Sequence, residues 1–286
     1  MERSDNKKMV EVFHMPDDAG RFTMENPPLQ RVLVDLQYPL SPRLVMPDGL
    51  AELQSALQSD FPTVRPLAAP GFTISFGSAP PMDPALSTRY QFSNPEGYEI
   101  QVGVMNTTLS IAGVAYQEGL QTAALLTRVA TAIQIVGRIN QCDRIGVRYI
   151  NAAPATPSQW VKWFKSEFTG WTETGIVDER ATRVAMLITQ LAFPEGQSVT
   201  AATVRHGYLP NGLGQDLTTS AASREPSFLV DIDMAADSPM LFDPNVIQDS
   251  FRAILREVAR YLRYTFTPEG EAHFGVHTIQ EKRETE

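Results

Sequence analysis

The chain reads as an α+β protein built of two β-α-β(3–4)-α halves, with antiparallel strands and long helices packed on one face. Three observations predict this. Short stretches with the two-residue alternation of strands occur in groups, separated by turn chemistry. Amphipathic stretches with helical spacing close each group. The order of elements before residue 142 then starts again after it, which suggests duplication about a pseudo-twofold axis.

Residues 1–24 are polar and without periodicity, and read as a flexible N-terminal tail. The first half spans 25–142. "RVLVDLQY" places Val32, Val34, Leu36 and Tyr38 on one face of a strand. After the turn "SPRLVMPDG", Pro47 opens a helix carrying Leu50, Leu53, Leu57 and Phe61. "GFTISFG", "TRYQFS", "YEIQVGV" and "TTLSIAGVA" follow as four strand candidates, with turns at "NPEG" (94–97) and "MNTT" (105–108). A helix over roughly 118–140 has Leu126, Val129, Ile133 and Val136 as its stripe.

The second half spans 143–278. "RIGVRYIN" is its first strand. "TPSQ" then starts a helix, with Thr156 as cap, Pro157 at the first helical position and Gln159 closing a capping box. Trp160, Phe164 and Phe168 form one stripe on that helix, and Trp163 widens it. Strands follow near 182–193, 198–207 and 227–234. Asp243 and Pro244 then open a helix with Ile247, Phe251, Ile254, Leu255, Val258 and Leu262 on one side. The 207–226 stretch, rich in Gly, Ser, Thr and Pro, reads as a long surface loop, and 279–286 as a charged tail.

Composition excludes more than it proposes. With 43% hydrophobic and 20% charged residues, the chain has the makeup of a globular protein. Its longest apolar run, "VAMLITQLAF" (184–193), is too short for a membrane span, and "MERSDNKKMVEVFHM" lacks the apolar region of a secretory signal. A single cysteine, Cys142, rules out an intrachain disulfide framework and fits the reducing cytoplasm. A formal charge of −9 argues against a nucleic-acid partner, which needs lysine and arginine against phosphate.

Several segments resemble a known family. The Pro-Pro opening and strand of "NPPLQRVLVDLQY", the hairpins of "RYQFSNPEGYEIQVGVMNTTLSIAG", the strand "RIGVRYIN", "DID" at 231–233 and the ending "LRYTFTPEGEAHFG" resemble, in that order, a sporadically distributed bacterial protein family of uncharacterised function. The resemblance covers about residues 25–275. It implies no activity and no catalytic positions, because the family has none established; its patchy distribution is similar to that of mobile or defence loci.

Chemistry therefore has to be judged residue by residue. Arg144 and Arg148 share one face of the strand in "DRIGVRYINA", while Ile145, Val147 and Tyr149 share the other. Two arginines so spaced can fork a carboxylate or phosphate, or pair across strands with Asp35, Asp231 or Asp233. Asp231 and Asp233 also point one way, as a metal or acid–base pair would, yet no third ligand has the matching spacing. In "EGEAHFGVH", Gly275 separates His273 from His277, and the zincin glutamate is missing, so no metal is expected. Nucleophile-elbow, P-loop and dinucleotide fingerprints are absent, and no cofactor is implied. Cys142 follows a helix end, the wrong place for a stabilised thiolate.

Two functions remain open. One is a noncatalytic module binding a protein, a peptide or another copy of itself, through the open sheet face, the aromatic helix with Trp171 beyond it, or the 207–226 loop. The other is a small-molecule binder or unusual enzyme with a cavity between a curved sheet and its helix, lined by Arg144, Arg148, Tyr149, Asp231 and Asp233. Convergence of those five residues on one cavity separates the two. A duplicated saddle would also resemble TATA-binding-protein architecture, against which the acidic charge weighs.

Overall fold

Val32, Val34 and Leu36 alternate with Arg31, Leu33 and Asp35, and this alternation decides which side of the molecule carries helices. The computed structural model describes residues 22–67, 88–174, 185–194, 197–209 and 225–279. In chain order the first half contains β1 (Phe22–Met24), β2 (Leu29–Gln37), α1 (Pro47–Leu57), β3 (Thr63–Leu67), β4 (Arg89–Ser93), β5 (Tyr98–Val102), β6 (Asn106–Ala112), α2 (Gly119–Gly137) and β7 (Gln141–Cys142). The second contains β8 (Arg144–Pro154), α3 (Pro157–Trp163), α4 (Ser166–Thr169), β9 (Ala185–Ala192), β10 (Ala201–Leu209), β11 (Ser227–Ala236), β12 (Met240–Leu241), α5 (Pro244–Thr265), α6 (Pro268–Phe274) and β13 (Val276–Thr278).

Nine strands form one antiparallel sheet in the order β3-β4-β5-β6-β2-β8-β11-β10-β9. Strands β2 and β8, one from each half, pair at its centre, with Val34 opposite Val147 and Val32 opposite Tyr149. Reading outward, β6, β5, β4 and β3 follow on one side and β11, β10 and β9 on the other, in descending chain order each way, so the strand order mirrors across the β2–β8 seam. The α+β class read from the sequence is the observed one.

One hydrophobic core runs beneath the whole sheet. Val32, Val34, Ile145, Val147, Ile232 and Met234 are buried in the same cluster as Leu126, Ile133, Phe251 and Ile254 of α2 and α5. Asp243 caps α5, its side chain accepting from the Asn245 amide at 2.7 Å. The apolar helix α2 is by length and composition able to cross a membrane, but half of its apolar window is buried inside the protein. That burial is what a core helix requires.

Several boundaries differ from the sequence reading. Residues 22–24 are not tail: β1 pairs with β13, Thr23 opposite His277. The candidate strand 71–77 lies outside the described residues, as does most of the 207–226 loop, whose first residues instead complete β10. "TVRPL" forms the sheet edge β3, which a proline tolerates because an edge strand has one unpaired side. The turn expected at 105–108 is shifted: Asn106 already begins β6, and Gly103 donates its amide to the Asn106 carbonyl.

The aromatic helix is also shorter than its stripe. It stops at Trp163 because the next backbone groups are taken by another segment. Phe164 bridges to Phe266, the Lys165 amide donates to the Thr265 carbonyl at 2.8 Å, and the Thr267 amide donates to the Trp163 carbonyl at 2.9 Å. A Cβ on Gly270 would sit 2.0 Å from the Trp163 carbonyl oxygen, so α6 approaches α3 this closely only through glycine. The aromatic residues are core as a result. Trp160 is fully buried, its ring centroid 5.0 Å from Tyr208 and 5.4 Å from Phe228.

Candidate functional site

On the face away from the helices, arginines and aspartates of four adjacent strands meet in a seam. Arg148 on β8 sits diagonally from Asp231 on β11 and forks it, with Nε 2.7 Å from Oδ1 and one terminal nitrogen 2.6 Å from Oδ2. Arg205 on β10, directly opposite Asp231, reaches the same Oδ2 at 3.2 Å. The Asp231 side chain is 2% exposed, so both guanidiniums neutralise a carboxylate that water scarcely reaches.

Arg144 is placed by an absence. Its guanidinium lies back over Gly146, where a Cβ would come within 2.4 Å of a terminal nitrogen. From there it approaches Asp237 at 2.7 Å, Asp35 at 3.5 Å and Asp233 at 3.8 Å. Asp35 also accepts from the Thr108 hydroxyl at 2.8 Å and from Gln37 at 3.0 Å. Asp233 makes a long contact of 3.8 Å with Arg144, and burial raises its pKa above the usual carboxylate value although Arg144 and Arg148 pull the other way.

These groups border an open hollow of about 240 Å³, lined by Leu33, Asp35, Thr108, Arg144, Arg148 and Asp233 among others. The two arginines in its walls are ion-paired, Arg144 with Asp35 and Asp233 and Arg148 with Asp231. The seam has the chemistry of a cross-strand clamp: three guanidiniums, four carboxylates and close contacts between them. Farther along, the same face turns apolar. Ile150 and Leu229 are buried there with Ala152 and Leu209, and Leu33 and Met186 pack against them.

Of the five residues expected to share one cavity, Arg144, Arg148 and Asp233 line the hollow, Asp231 is bonded to Arg148 beside it, and Tyr149 lies apart. Tyr149 points to the helix side, where its hydroxyl donates to Tyr116 at 2.7 Å, and burial raises the pKa of both phenols. The arginines and aspartates are on the opposite face, so they line no cavity between sheet and helix. Trp171 is half-buried, its indole donating to the Phe168 carbonyl at 2.9 Å. His273 stacks on Trp163 at 3.8 Å, whereas His277 lies on β13 against Glu25 at 2.9 Å. No group of three potential metal ligands occurs among the described residues. Burial pushes the Cys142 thiol up to about 11.

Two features escaped the sequence reading. Arg205 and Asp237 complete the seam, and only the register reveals them. The second feature is the free edge. Strand β9 ends the sheet, and among the described residues no strand covers its outer side. Its sequence "AMLITQLA" contains no charge and no proline, and Leu187, Ile188 and Leu191 are exposed. The other edge, β3, carries Arg65 and Pro66. Charge and proline are the usual protection of an edge; β9 has neither.

Among the described residues, fold and surfaces define an α+β protein with a nine-stranded antiparallel sheet, a clamped charged seam and an edge strand without charge or proline. No protein-family model matches the chain, and no curated protein matches it.

Proposed function

We propose that the chain is a noncatalytic polypeptide-binding module that accepts an extended segment as an added strand along β9. The observation that carries this reading is the contrast between the two sheet edges. An uncharged, proline-free edge offers a ladder of backbone donors and acceptors, and alternate side chains supply apolar contact. Leu187 and Leu191 project on one face, Ile188 on the other, so an incoming strand gains apolar burial on both. The mutual pairing of Arg144, Arg148, Arg205 and their aspartates supports a structural role for the seam, because a group held in a clamp is not free for catalysis.

The mirrored strand order supports descent from an internal duplication, with the unprotected edge special to the second half. The single cysteine supports a reducing, cytoplasmic setting. The order of motifs supports membership of the sporadically distributed bacterial family, whose lack of an assigned reaction fits a binding module.

Native mass spectrometry of gently purified protein tests this. Additional polypeptide mass is expected on the wild-type chain and lost in a Gln190→Pro variant. Phe193 donates to Thr200 in the β9–β10 register, so by alternation the Gln190 amide faces the free edge, and proline removes that donor. A folded Gln190→Pro variant that retains the bound polypeptide would overturn the reading, as would a wild-type chain that never carries one.

A further inference from the structure

We infer that the strand added to β9 is β9 of a second copy of this chain, giving a two-fold dimer with one sheet continuous across it. The inference rests on the strand-addition reading and names its partner. Three observations on the edge lead to it.

The first is charge. Each chain carries a formal −9, so most surfaces of two copies repel. Ala185–Ala192 has no charged side chain, and there two copies meet without like charges opposed.

The second is self-complementarity. In antiparallel pairing about an axis normal to the sheet, directly opposed residues lie on the same face. A register centred on Thr189 sets Leu187 against Leu191 of the second copy, and Leu191 against its Leu187. Thr189 then meets Thr189, and Ile188 meets Gln190. Both exposed leucines are covered, and the threonine pair is a favourable cross-strand neighbour.

The third is closure. Pairing β9 with β3 of the next copy would build an open filament. Pro66 withholds a ladder donor at β3, and Arg65 stands beside it. The self-paired edge is therefore the favoured contact, and it closes after two copies. An eight-residue strand buries less than the roughly 800 Å² per partner of standard interfaces, so the dimer is expected to be weak and concentration-dependent.

Sedimentation equilibrium of the full chain over a wide concentration range, together with a thiol crosslink, tests this. Wild-type mass is expected to rise toward twice the chain mass. Ile188→Lys, a solvent-facing change that leaves the melting transition in place, is expected to weaken association by roughly tenfold or more. Thr189→Cys should form a covalent dimer under oxidation or a short thiol crosslinker, because like residues meet on the axis. Arg65→Cys on the other edge should not, and Cys142, fully buried, does not compete. A chain monomeric at every concentration, or an uncrosslinked Thr189→Cys, overturns the dimer. If the native protein then still carries a different polypeptide that Gln190→Pro releases, strand addition stands with another partner. If it carries none, both readings fall.

Discussion

Arg148 and Asp231 are joined by two hydrogen bonds of 2.7 and 2.6 Å across the β8–β11 ladder, with the carboxylate almost sealed from solvent. An ion pair so placed offsets its own desolvation only while intact. Asp231→Asn leaves Arg148 and Arg205 without their counter-charge in the sheet. The expected loss is about 3 kcal/mol of unfolding free energy, read from the urea midpoint at unchanged m-value. A loss within about 0.5 kcal/mol, the range of ordinary surface changes, would mean that the clamp contributes little.

Asp233, two residues along, should behave oppositely. Burial raises its pKa, so the folded state prefers the protonated carboxyl more than the unfolded chain does. The resulting stabilisation is present at low pH and is lost as pH rises through the folded-state value. At neutral pH, Asp233→Asn is therefore expected to be neutral or slightly stabilising. Thermal melts of the two asparagine variants side by side check the difference in sign.

His206 is 4% exposed, its ring 5.4 Å from Phe168, and burial lowers its pKa to about 4. The unfolded histidine titrates near 6.5, so the unfolded state takes up the proton first. Stability is full above that pH and is lost as pH falls toward 4, by up to about 3 kcal/mol. His206→Leu should flatten this part of the profile relative to wild type. Parallel profiles for the two proteins would remove His206 as the cause.

Gly270 permits the contact between α6 and the end of α3. Gly270→Ala places a methyl carbon 2.0 Å from the Trp163 carbonyl oxygen, so the backbone has to move. The expected cost is about 2 kcal/mol or more, as for overpacking of a core. Near-ultraviolet dichroism should report the disturbed Trp160 and Trp163 environment. An unchanged spectrum and melt would contradict the close approach.

Much of this fold is legible in the sequence, because burial on one side imposes periodicity. The alternation of "RVLVDLQY" and "RIGVRYIN" identifies both central strands and their helix-facing sides, and the Asp243-Pro244 start of α5 carries its own capping chemistry. The cross-strand pairing of Arg148 with Asp231 was among the arrangements the residues allowed. Register was not legible, so Arg205 and Asp237 stayed hidden. The break at Phe164 is set by Thr265–Thr267, a hundred residues away, and local helical spacing cannot register it. Nor can "VAMLITQLAF" disclose that it ends a sheet. An apolar run reads the same at an edge as in the middle, and among the described residues no strand lies on the outer side of β9, where Leu187 and Ile188 are exposed.

Backbone hydrogen exchange across Ala185–Ala192, followed as the chain associates, tests the polypeptide-binding account most directly. Strand addition predicts that these amides exchange more slowly in the associated state, while those of Thr63–Leu67 at the opposite edge keep their rates. Unchanged exchange along β9 in a demonstrably associated sample, or protection confined to another surface, would contradict it.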